Sequence, residues 1–206
     1  MKMMGEEQRQ RLLYGSVEML EKLRDSINNC KTQKTILLES KEFNQFYLFV
    51  LVINCDAQAI VKQFCTINQK WEEIVLKRQM YIFLRESSNK IIGTLNNSKN
   101  GKKNSKKIYW STELKAFIEK RYPELMFEFN EIDTTLQSYI GNEFQEDIRV
   151  LRNLSVHYDD ELDTMKFIDT VNQINLDFAF QLLGKWLTIV GALYQFVTKI
   201  IIQKNN

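Results

Sequence analysis

Apolar residues recur at three- and four-residue steps along most of this chain, the spacing that gathers them on one face of an α-helix. From Glu6 to Cys30, Leu13, Val17, Leu20, Leu23 and Ile27 form such a stripe, and Asn28 and Asn29 are placed to end the helix. A second pattern, from about Ser40 to Phe64, carries Phe43, Phe46, Tyr47, Val50, Leu51, Ile60, Val61 and Phe64. It is apolar on most sides near 46–53, which predicts the central helix of a bundle. "CTINQKWEE" offers a helix start at Asn68, and Trp71, Ile74, Val75, Arg78 and Ile82 carry that pattern to about Leu84. The pattern alone leaves open whether 40–86 is one long helix or two.

The stretch "NNSKNGKKNSKK" (96–107) breaks the periodicity with five lysines and a glycine. It predicts a mobile Lys/Asn-rich loop over about 94–110. Ser111 or Thr112 can cap a short helix to about Lys120, and Pro123 fits the first turn of another that ends near Gly141. Asn142 caps "EFQEDIRVLRNLSVH", which "YDDELD" interrupts. Asp163 or Thr164 then starts a last segment. Its stripe of Met165, Ile168, Val171, Ile174, Phe178 and Leu182 continues past Gly184 and Gly191 to about Ile202. No repeat at a fixed period is present. The reading is a single all-α domain over 1–206, a multi-helix bundle of five to seven helices without strands.

Composition supports this picture. One proline and seven glycines in 206 residues are too few for a turn-rich, sheet-based fold. The net charge of +2 gives no global attraction to nucleic acid or membrane, so any such preference must come from local clustering. The three cysteines, Cys30, Cys55 and Cys65, have no CxxC spacing and read as reduced thiols in a cytoplasmic protein, with Cys55 and Cys65 packing as small hydrophobes in an apolar segment. The greasiest runs, 46–53 and 186–197, are short of the roughly 20 apolar residues needed to cross a bilayer. They read as buried helix faces, so no membrane partner is expected. One histidine and scattered cysteines supply no recognisable metal-ligand set, and no Gly-rich phosphate loop or nucleophile elbow occurs. No cofactor is expected.

The single histidine lies in "RNLSVHYDD", Arg152 to Asp160. On a helix at about 100° per residue, Phe144, Ile148, Leu151, Ser155 and Tyr158 fall on the side that faces a core. Asn142, Glu146, Arg149, Asn153 and His157 stack on the opposite, polar side. Arg152 sits about 140° around the helix from His157. The two side chains therefore converge if the helix unwinds at "YDDELD", or if the partner group arrives from a second protomer across a two-fold axis. A helix-terminal network pairing Arg152 and His157 with Asp159, Asp160 or Glu161 is the alternative.

"RNLSVHY" resembles the R-x4-6-H signature of the HEPN superfamily, in which a polar residue, often asparagine, follows the arginine. The likeness covers about 15 residues, at Arg152, Asn153 and His157. It implies an all-α, commonly homodimeric domain. Many such domains are metal-independent ribonucleases of toxin–antitoxin, phage-defence and RNA-processing systems, whereas others bind RNA, nucleotides or protein without chemistry. By position the resemblance makes His157 the general acid/base, Arg152 the phosphate clamp and Asn153 the orienting group. Glu146, Arg149 and Tyr158 would surround them. An antitoxin is a conceivable partner. Some HEPN toxins carry a tyrosine two residues beyond the histidine that a partner nucleotidyltransferase modifies. Here Asp159 holds that place and Tyr158 follows the histidine directly, so that regulation does not carry over.

The residue types suit the chemistry. A metal-free cleavage needs a base to take the ribose 2′-hydroxyl proton, and an imidazole with a pKa of about 6.5 can do so near neutral pH. A guanidinium holds phosphate oxygens and stays charged. The run Lys99, Lys102, Lys103, Lys106 and Lys107, followed by Tyr109 and Trp110, is a candidate RNA-backbone track with stacking aromatics. A solvated loop is its simpler reading.

Overall fold

The computed structural model describes residues 5–32, 40–92, 95–97, 103–105, 110–139 and 176–205, together with Asp169 and Asn172. Among them are six α-helices, and the chain is an all-α bundle. In chain order they are α1 (Glu6–Thr32), α2 (Lys41–Thr66), α3 (Lys70–Ile92), α4 (Lys115–Arg121), α5 (Met126–Tyr139) and α6 (Leu176–Asn205). A π-type turn, Trp110–Leu114, leads into α4, and a 3-10 turn, Pro123–Leu125, leads into α5. Helices α2 and α6 form the centre. The first packs on α1, α3 and α6, the second on α2, α3 and α5.

The question left open over 40–86 is answered by caps. Ser40 starts α2, its hydroxyl accepting from the Phe43 N–H at 3.2 Å. The chain turns extended at Ile67. Helix α3 then begins afresh, because the Glu72 carboxylate accepts from the backbone N–H of Asn68 at 2.9 Å and of Gln69 at 3.1 Å. That carboxylate satisfies donors that the start of a helix leaves unpaired. Arg9 of α1 closes the other end of the break, donating to the carbonyls of Cys65 at 3.1 Å and Ile67 at 2.9 Å. A cation at the last carbonyls of α2 also suits the negative end of the helix dipole.

One predicted stripe loses a member and another is rotated. In α1 the buried positions include Ser16 and Leu23, with Leu13, Ile27 and Cys30 packed beside them, while Val17 is exposed. Ser16 tolerates burial because its hydroxyl donates to the Leu13 carbonyl at 2.8 Å. In α3 the core side is Leu76, Met80, Leu84 and Ile91, while Trp71 is 71% exposed and Val75 45%. That helix is apolar on two faces, and only contact with α2 and α6 selects one of them.

The expectation of no strands needs one correction. Leu95–Asn97 and Lys103–Ser105 pair antiparallel, with Leu95 opposite Ser105 and Asn97 opposite Lys103. Five residues separate the two strands, and they include Asn100-Gly101, a dipeptide suited to hairpin turns. Three residue pairs do not alter the all-α class.

Two helical segments, Phe43–Thr66 and Leu176–Gln203, are long and apolar enough to cross a membrane by length and composition. The uninterrupted apolar runs are shorter than these helices, which is why the sequence pattern passed over them. Half of the most apolar window in the first and 39% of that in the second are buried inside the protein. Trp186, Val190, Leu193 and Val197 of α6 are fully enclosed. Phe178, expected in the buried stripe, is 46% exposed, and Ala179 takes the inward position.

Candidate functional site

Glu146, Arg149, Arg152, Asn153, His157 and Tyr158 all lie outside the described residues, as do Lys99, Lys102, Lys106, Lys107 and Tyr109. Lys103 is in the second strand of the short ribbon, its backbone opposite Asn97. The structure does define the frame that flanks the motif-bearing segment. Tyr139 closes α5, and its hydroxyl donates to the Leu182 carbonyl in α6 at 2.9 Å. Its ring stacks on Trp186 with centroids 5.3 Å apart. Burial pushes its phenol well above the ordinary tyrosine range. Leu182 lies six residues, about 9 Å along the axis, from Leu176. Tyr139 and Leu176, the described residues on either side of 140–175, thus both belong to the packed pair α5 and α6.

Trp110 corrects part of the sequence reading. It is not available to stack on a base. The indole is fully buried, lies flat on Phe129 with centroids 4.3 Å apart, and donates from Nε1 to the Asp133 carboxylate at 2.8 Å. It anchors the start of the π-type turn that leads into α4.

All three cysteines are free thiols, Cys65 buried and Cys30 and Cys55 half-buried. Burial raises each thiol above its usual range, and all three pack in or against the hydrophobic core. Among the described residues no group of three His, Cys, Asp or Glu side chains converges.

Two clefts went unnoticed in the sequence. One, about 480 Å³, runs between α2 and α3 over Phe49, Val52, Ile82 and Phe83. Lys90 spans its edge, with Nζ 5.3 Å from the Phe49 ring centroid. Asp56 lines it too. Burial raises the Asp56 carboxyl above its usual range, and the positive charge of Lys90 partly opposes that. The other, about 680 Å³, lies where the start of α1, the α2–α3 junction and the start of α6 meet. Its walls come from segments more than 50 positions apart, so no motif spacing could have announced it.

The chain matches no protein-family model, and neither a curated protein nor a solved structure shows significant similarity to it.

Proposed function

We propose that this chain is a metal-independent endoribonuclease of HEPN type, acting in the cytoplasm as a homodimer in a toxin–antitoxin or phage-defence setting. One observation carries the reading: Arg152-Asn153 followed by the chain's only histidine, His157, on the polar face of a helical sequence pattern. The all-α bundle is compatible with it, since the resemblance implies a helical domain.

In the proposed reaction His157 takes the proton of a ribose 2′-hydroxyl. The freed oxygen attacks the adjacent phosphorus, the bond from phosphorus to the 5′-oxygen breaks, and an imidazolium protonates that leaving oxygen. The products are a 2′,3′-cyclic phosphate and a 5′-hydroxyl. Arg152 holds the non-bridging oxygens as charge accumulates on them. Asn153 orients the phosphate or the imidazole, and Glu146, Arg149 and Tyr158 surround the pair. The lysines at 99, 102, 103, 106 and 107 draw in the RNA backbone.

The experiment is incubation of the purified chain with mixed RNA in EDTA, alongside His157→Ala and Arg152→Ala. Loss of the acid/base should lower the cleavage rate by about 10²–10⁴. Undiminished cleavage in both variants removes these residues from the mechanism. RNA retention without any cleavage would instead assign a non-catalytic binding module.

A further inference from the structure

The cleft at the α1, α2–α3 and α6 junction has a size typical of small-molecule pockets, about 680 Å³. Its apolar wall is the pair Phe64 and Phe180, stacked with centroids 3.9 Å apart, beside Ile67 and Leu176. Phe64 is buried, whereas Phe180 keeps part of its ring accessible. A flat ring can extend that stack and gain from both burial and offset aromatic contact.

The charged rim is positive in effect. Arg9 spends Nε and one Nη2 hydrogen on the Cys65 and Ile67 carbonyls, which fixes the guanidinium plane and leaves Nη1 without a partner among the described residues. Among the described residues Lys70 has neither an ion pair nor a hydrogen-bond partner for its ammonium. Of the two carboxylates at the rim, Glu73 is matched by Lys77 at 2.7 Å, so that even with the charge of Asp177 counted Arg9 and Lys70 leave an excess of positive charge. Two cations therefore face a half-apolar cleft with spare donor capacity. That combination suits an anion with an apolar body, because the ring is removed from water while the charge meets preplaced donors.

We propose that this cleft binds small organic anions built from a flat ring system and one carboxylate or phosphate, with the ring against Phe180 and the anionic group toward Arg9 and Lys70. The proposal is independent of the ribonuclease reading and uses none of its residues.

Indole-3-acetate and its uncharged counterpart indole-3-acetamide serve as probes, titrated into the full chain by calorimetry. The acid is expected to bind more tightly than the amide and to weaken as salt is raised. Lys70→Gln should weaken it roughly two- to fivefold, within the range of an exposed ion pair. Gln181→Glu, an exposed change that sets a negative charge on the cleft's lining, should weaken it as well, which keeps the test informative if one variant folds poorly. Equal binding of acid and amide, or no binding of the acid at about 5 mM, a level that would detect even millimolar affinity, overturns the proposal. So does unchanged affinity in both variants.

Discussion

Trp110 is the residue on which the structure departs most sharply from its sequence context, because it follows a lysine run yet is wholly enclosed. Replacing it with phenylalanine keeps an aromatic ring on Phe129 but deletes the bond from Nε1 to Asp133. A hydrogen bond to a charged acceptor contributes about 1.5–3 kcal/mol, less at a half-exposed carboxylate such as this one. The lost ring volume adds about 1 kcal/mol. Together Trp110→Phe should destabilise by roughly 2–3 kcal/mol, a fall in melting temperature of about 5–10 °C for a chain of this size. Asp133→Ala leaves the indole N–H buried and unpaired, which costs about 1–3 kcal/mol. Urea unfolding of the two single variants and the double variant closes a cycle whose coupling should be about 1–2 kcal/mol. Coupling below about 0.5 kcal/mol would refute the bond's energetic role. RNA retention provides the second arm. If Trp110→Phe stays folded but loses RNA, the indole reaches nucleic acid and its assignment to the core is wrong.

Other expectations follow from the same physics. The Tyr47 phenol is pushed up to about 12 by burial, first of all, and by nearby Cys30 and Tyr194. Tyr139 is raised further in the same direction. A raised folded-state value means that stability is intact below the ordinary tyrosine value of about 10 and is lost as pH climbs through the folded one. Urea midpoints from pH 8 to 11.5 should therefore fall less steeply in Tyr47→Phe than in the parent. Parallel slopes would remove Tyr47 from the effect. Glu72→Ala deprives two backbone N–H groups of their acceptor and should cost about 1 kcal/mol, measured by thermal unfolding. Leu23→Ala should cost about 2–5 kcal/mol while Val17→Ala changes stability by less than about 0.5 kcal/mol. Equal losses at the two positions would restore Val17 to the buried stripe read from sequence.

The helices themselves were legible along the chain. Three- and four-residue spacing, scarce glycine and proline, and local caps are properties of neighbouring residues. They place α1 and α5 within a few residues of where they stand and cover α2 and α3 without dividing them. The expected start of the last segment at Asp163 or Thr164 lies outside the described residues. The motif at Arg152 and His157 was legible in the same local way, as residue types at a fixed spacing. The buried face of α2 was legible too, since Phe43, Phe46, Val50, Leu51 and Phe64 are all in the core. What tertiary contact decided is which side of α3 is inside and where the α1 stripe departs from its pattern. Ser16 is buried and Val17 is not, and Leu76 and Met80 are buried while Trp71 and Val75 are not. A helix with apolar residues on two faces carries no internal mark of which one its neighbours will cover. Arg9 reaching the carbonyls 56 and 58 positions away, and Trp110 meeting Asp133 across the bundle, lie equally beyond any local pattern. Periodicity reports how a segment prefers to coil. Only packing brings distant groups to hydrogen-bonding distance and so makes a wall, a cap or a cleft.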